Sequence, residues 1–129
     1  MGCKISLAKS GSLYFGDRFK MSAESSIAAC NSIVFGDNCL ISWDTLVMDS
    51  DFHKIFDENG LEINAPQEVV IGDNVWIGCR CLILKGAKIP SGSIIAASSV
   101  VNAKELHGQN TIFGGQPVKE LRKNVRWKH

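Results

Sequence analysis

The sequence predicts an all-β protein: a single-stranded parallel β-helix, wound as a triangular prism from six-residue units. Two observations carry this. In "IGDNVWIGCRCLILKGAKIPSGSIIAASSVVN", residues 71–102, a large aliphatic residue returns at every sixth place: Ile71, Ile77, Ile83, Ile89, Ile95 and Val101. Two places before each sits a second, usually smaller residue: Val69, Val75, Cys81, Ala87, Ser93 and Ser99. A helix would space its apolar residues by three and four, and a plain strand would alternate without a longer beat. Residues two apart on a strand face the same way, so each hexad supplies a short strand with one small and one large inward side chain. The residue after the large one is often small (Gly72, Gly78, Ala96), which lets the chain turn. Pro90 follows Ile89 at such a corner, where a missing N–H is tolerated. Three strands and three corners close one coil of 18 residues, the interval from Ile71 to Ile89. Stacked coils turn the aliphatic positions into continuous interior ladders, each coil touching only its neighbours.

Earlier in the chain the repeat is worn. Phe15, Met21 and Ile27 are six apart, as are Phe35, Ile41 and Val47; the two sets are offset by two residues, which predicts a widened corner at "AACN", residues 28–31. "FGDR" at 15, "FGDN" at 35 and "IGDN" at 71 read as one corner in different coils, with two coils between Phe35 and Ile71. Cys39 and Thr45 fill small slots ahead of Ile41 and Val47, so Cys39 and Cys81 read as core residues more readily than as reactive thiols. Residues 48–68, "MDSDFHKIFDENGLEINAPQE", have no clean hexads and read as an acidic loop thrown out of the prism. The β-helix is thus expected over residues 1–113 and a tail over 114–129. In that tail Pro117 suits a helical first turn, and Val118, Leu121 and Val125 have helical spacing. A short C-terminal helix capping the open end of the prism is therefore expected.

The chain of 129 residues carries 14 basic and 13 acidic residues, a net charge of +1. That balance offers no broad field for nucleic acid or an anionic membrane. No apolar run approaches the length of a membrane span and no signal peptide opens the sequence. Five cysteines without paired spacing point to a reducing cytoplasm rather than a disulfide framework, and no ligand spacing suggests a structural zinc. Of the three histidines, His107 and His129 read as solvated. His53 lies in the excluded loop beside Asp49, Asp51 and Asp57. It is either a loop residue bound to a neighbouring carboxylate or a general base whose ring is held by a carboxylate or carbonyl.

The corner "IGDNVWIG", the coil "IIAASSVV" and the closing "GGQP" closely resemble the hexapeptide-repeat acyltransferases. Within that superfamily the chain is most similar to the maltose, galactoside and cell-surface polysaccharide O-acetyltransferases, over roughly residues 15–125. The resemblance implies a left-handed β-helix, a homotrimer, and acetyl-coenzyme A lying in a groove between subunits, with no metal required. It places the catalytic histidine on His53 and the family's tryptophan on Trp76. The cofactor contacts fall on Trp76, Cys79, Ala97, Asn102, Lys119 and Arg122, and Asp49, Asp51 and Trp76 are expected near the acceptor. Two departures stand out: Asn102-Ala103 replace a Thr-Lys pair, with Lys104 as a substitute charge, and Lys119 replaces an arginine, which supplies charge but no bidentate fork.

The function implied is transfer of acetyl from acetyl-coenzyme A to a hydroxyl of a sugar or glycan acceptor. An N-acetyltransferase on an amino sugar would use the same base and groove. A non-catalytic β-helix scaffold is the competing class, under which His53 and the basic tail are dispensable. A zinc enzyme on the same prism would need three histidines around the metal, which His53, His107 and His129 do not supply. Cys79 as a covalent acetyl carrier is the weaker alternative to direct transfer.

Overall fold

The computed structural model describes residues 2–103 and 106–129; Lys104 lies outside the described residues. Fifteen strands follow in chain order: β1 (Lys4–Leu7), β2 (Ser12–Phe15), β3 (Lys20–Met21), β4 (Ser26–Ala29), β5 (Ser32–Phe35), β6 (Leu40–Ile41), β7 (Leu46–Met48), β8 (Val69–Ile71), β9 (Trp76–Ile77), β10 (Leu82–Ile83), β11 (Lys88–Ile89), β12 (Ile94–Ile95), β13 (Val100–Val101), β14 (Ile112–Gly115) and β15 (Val118–Arg122). Every third strand joins the same sheet. Face A is β1-β4-β7-β10-β13, face B is β2-β5-β8-β11, and face C is β3-β6-β9-β12-β14 with β15 added at its end. All pairings are parallel except β14 with β15, and the result is a solenoid of about five turns.

The six-residue beat is the inside of this prism. Ile27, Val47, Ile83 and Val101 stack beneath face A, Phe35, Ile71 and Ile89 beneath face B, and Ile41, Ile77, Ile95 and Phe113 beneath face C. All are buried. In the lower coils the aliphatic ladder gives way to rings: Phe35 lies 5.5 Å from Phe15 and 4.8 Å from Phe19, centroid to centroid. The small inward residues hold the corners. Thr45 Oγ1 donates to the Gly78 carbonyl at 2.9 Å, Cys39 Sγ to Gly72 at 3.1 Å and Cys81 Sγ to Ala96 at 3.2 Å. A small side chain with one donor thus satisfies a backbone oxygen of the adjoining coil that the turn leaves out of the ladder. Burial pushes the Cys39 thiol up to about 11 and raises that of Cys81, so both are poor nucleophiles, as their slots implied.

The "GD" corners between faces B and C form a second ladder. The Asp17 N–H donates to Asp37 Oδ1 at 2.8 Å, the Asp37 N–H to Asp73 Oδ1 at 2.7 Å, and the Asp73 N–H to Ser91 Oγ at 2.9 Å. The glycine of each corner lies on the next coil: a Cβ on Gly36 would stand 2.7 Å from the Gly72 backbone. Asn38 and Asn74, the last residues of two such corners, take positive φ, a conformation asparagine tolerates.

Two expectations are corrected. The 36 residues from Phe35 to Ile71 are one coil and the excluded loop, because these two residues pair directly. The loop, numbered 49–68, leaves the corner between faces A and B after β7 and returns at β8. The C-terminal helix is absent: among the described residues there is no helix, and Val118–Arg122 is a strand antiparallel to β14. The physical reason is that β14 would otherwise end face C with unpaired N–H and C=O groups. Pairing in strand form satisfies them, and Val118 alone of the five turns a buried side chain inward. The "AACN" corner is indeed widened, and its Cys30 and Asn31 N–H groups are capped by the Asp49 carboxylate at 2.9 and 2.7 Å.

Candidate active site

The candidate residues fall on different edges of the prism. His53 is exposed on the excluded loop. Its backbone carbonyl accepts the Asn64 side-chain amide at 2.8 Å, and the same amide donates to Asp51 Oδ2 at 2.9 Å. Lys85 Nζ, one coil above the loop's root, reaches that Asp51 oxygen at 2.7 Å. Asn64 Oδ1 in turn accepts the Ile55 N–H at 2.7 Å. Asp51, Asn64 and Lys85 therefore fix the backbone at His53 to the prism, while the imidazole makes no hydrogen bond to another described residue. The cavity beside His53 is about 220 Å³ and is lined by Cys30, Ser50, Phe52, Lys54, Glu62, Asn64 and Pro66. Neither Asn64 nor Lys85 was marked by the sequence; Lys85 follows the hexad of Ile83 and gave no signal of reaching the loop.

The Lys85 hydrogen bond first and the Asn64 bond second hold the Asp51 carboxyl below the usual carboxylate range. A depressed carboxyl contributes above its unfolded pKa of about 3.9 and loses that contribution as pH falls through the lower folded value. The brace on the His53 loop is expected to survive to below about pH 3.9. A carbon-13 titration of the Asp51 carboxyl would check this; a midpoint at or above that value would mean the brace is open in solution.

Asp49 is fully buried and both its oxygens are taken by the Cys30 and Asn31 N–H groups. It anchors the root of the loop. Asn102 lies on the same edge, where it lines a cavity with Asp51, Leu84, Lys85 and Ala103.

Cys79 and Ala97 lie on another edge, the corner between faces C and A. The Ser98 N–H donates to the Cys79 carbonyl at 2.9 Å, so the two are consecutive rungs of that corner. Cys79 is half-buried and Ala97 exposed. Trp76 stands on the outer side of face C, half-buried, paired with Leu40 below and Ile94 above. Its Nε1 donates to Ser42 Oγ at 3.0 Å, and the C-terminal tail covers it, with Trp127 at 6.0 Å. Lys119 and Arg122 are exposed on β15, opposite Gly114 and Ile112 at the end of face C.

The residues thus form two groups. His53, Asp51 and Asn102 share the A–B edge, and Cys79, Ala97, Trp76, Lys119 and Arg122 share face C and its edge with face A. The cavity at His53 and the one at Cys79, lined by Glu24, Trp43, Asp44 and Arg80, have no residue in common.

The description bacterial transferase hexapeptide (six repeats) matches residues 68–103, the stretch where the register is strict and the inward ladders are unbroken. Residues 68–103 carry the repeats of the hexapeptide transferase family. The galactoside O-acetyltransferase of Escherichia coli K12 is 31% identical over 91% of this hexapeptide-repeat chain and 57% of its own length. The solved structure of a polysialic acid O-acetyltransferase superposes with a TM-score of 0.93 at 28% identity, covering 99% of this chain and 61% of the other. A Vibrio cholerae hexapeptide-repeat acetyltransferase, solved complexed with acetyl-coenzyme A, matches with a TM-score of 0.76 at 25% identity over 94% and 64%. This match identifies the solenoid as the left-handed β-helix of hexapeptide-repeat acetyltransferases. The chain spans about half the length of the curated relatives it matches. Among the described residues no helix is long and apolar enough to cross a membrane.

Proposed function

We propose that this chain is an acetyl-coenzyme A-dependent O-acetyltransferase acting on a sugar hydroxyl, with its active site formed between subunits of a trimer. The observation that carries the reading is the split just described. The candidate base stands on one edge of the prism and the candidate donor groove on another, so a neighbouring copy would bring them together. The outer sides of faces A and C favour such packing: Leu46, Met48, Leu82 and Val100 line one, Leu40, Ile94 and Ile112 the other. Face B is more polar, with Glu68 paired to Lys88 at 3.6 Å.

The C–A edge suits the thin arm of a coenzyme A. Cys79, Ala97 and Gly115 follow one another up the corner with small side chains, leaving a shallow track with exposed backbone. Lys119 and Arg122 at its upper end would meet phosphates. The donor supplies an activated thioester. His53 of a neighbouring copy, its backbone braced through Asn64, takes the proton from the acceptor hydroxyl as that oxygen attacks the thioester carbonyl; the C–S bond then breaks and coenzyme A leaves as its thiol with that proton. Backbone N–H groups along the track stabilise the charge developing on the carbonyl oxygen. Fixing both substrates across an interface supplies orientation.

Calorimetry with coenzyme A and sedimentation test this reading together. A trimer that binds coenzyme A is expected; a stable monomer at micromolar concentration would remove the shared site. In Lys119→Ala/Arg122→Ala the affinity is expected to fall by about 2–3 kcal/mol, the worth of two exposed charge-assisted hydrogen bonds. Unchanged affinity in that variant would move the phosphates elsewhere.

A further inference from the structure

Trp43 stands out on the C–A edge. At this corner each coil places one residue in the same position: Ala23, Trp43, Cys79 and Ala97, consecutive rungs joined by the Asp44 N–H to Ala23, the Arg80 N–H to Trp43 and the Ser98 N–H to Cys79. Three of the four are small, and the fourth is an indole that is 61% exposed. The other two tryptophans are engaged: Trp76 donates to Ser42, and Trp127 donates to the Asn74 carbonyl at 2.7 Å. The Trp43 ring makes neither a hydrogen bond nor an aromatic contact with another described residue. It walls a cavity of about 430 Å³ shared with Cys79, Glu24, Asp44 and Arg80.

An exposed flat ring ringed by carboxylates and a guanidinium is the chemistry that holds a saccharide. The C–H face of a pyranose stacks on the indole, and its hydroxyls, which both donate and accept, pair with a carboxylate that accepts and a guanidinium that donates. The Arg80 and Asp44 side chains lie 4.0 Å apart and are 76% and 67% exposed, so their mutual attraction is screened and both can turn to a ligand. The Asp44 and Arg80 charges offset one another, so the pair carries no net charge and gives an anionic sugar no advantage over an uncharged one.

We propose that Trp43, with Asp44 and Arg80, is a stacking subsite for a neutral saccharide residue of the acceptor. It sits one coil below Cys79, so a sugar held there reaches the lower end of the proposed donor track. This rests on the sugar-acceptor reading above, but it assigns the acceptor to particular residues and expects an uncharged acceptor ring at this place.

The experiment titrates the full chain, labelled at the tryptophan indole nitrogens, with maltotriose, chitotriose and an α2,8-linked sialic acid trimer. Each of the three indole resonances is assigned by its Trp→Phe variant. The Trp43 resonance is expected to move with one of the neutral trisaccharides and not with the sialic trimer. Affinity should fall about tenfold in Trp43→Ala and be largely kept in Trp43→Phe, the range of one aromatic stacking contact. Coenzyme A affinity should be the same in Trp43→Ala and Trp43→Phe as in the wild type. A still Trp43 signal with both neutral sugars, or stronger movement with the sialic trimer, overturns the proposal. So does loss of self-association in Trp43→Ala by sedimentation, which would make the ring a contact between copies. If the wild type binds no coenzyme A while Trp43 still answers to sugar, the donor reading fails and this one stands.

Discussion

His53→Ala is expected to cut turnover by about 10²–10⁴-fold, the usual contribution of a positioned general base. The residue is exposed on a loop outside the stacked coils, and its side chain supports nothing in the core. Thermal stability, self-association and coenzyme A affinity should therefore stay close to wild type, since the imidazole acts on the acceptor's proton. Asp51→Asn should cost less. Asp51, held by Lys85, is linked to the His53 carbonyl through Asn64 and not to the ring, so the change loosens the loop without removing the base. Thiol release with an acceptor that the wild type uses is the measurement. Near-normal release in His53→Ala would sink the mechanism and turn attention to the half-buried Cys79 as an acetyl carrier, or to a scaffold without catalysis.

The largest expected effect on folding is at Phe35. Its ring is fully buried and packs against Phe15 and Phe19, while its strand pairs with β2 below and β8 above. Phe35→Ala should cost about 3–5 kcal/mol, the usual cost of emptying a ring-sized space in a packed core. That is a large share of the roughly 5–15 kcal/mol available to a domain. A solenoid transmits stability only between neighbouring coils, so the first three coils should loosen while the hexads above β8 hold longer. Urea unfolding followed by hydrogen exchange would show this as early loss of protection in β2 and β5. Uniform loss along the whole chain would mean that the coils unfold as one unit. Phe35→Leu, which keeps much of the volume, should cost far less.

The sequence by itself determined the prism. A large residue every sixth place, with a small one two before it, has one geometric solution, because side-chain direction on a strand depends only on spacing along the chain. For the same reason the inert cysteines were legible, since Cys39 and Cys81 fall on the small beat. The excluded loop was legible as the place where the beat stops. Tertiary structure decided what depends on meeting a distant edge. The "VKELR" segment has helical spacing, but β14 presented unpaired backbone groups and drew it into a strand. Asp49 and Asp51 look alike in sequence. One is buried under the "AACN" corner, and the other is held by a lysine 34 residues away. Trp43 and Trp76 also look alike in sequence, yet only the stacking of coils leaves one ring open on an edge and covers the other with the tail. Spacing along a chain fixes which way a side chain points, whereas its partner is fixed by which coil, loop or terminus the winding brings alongside it.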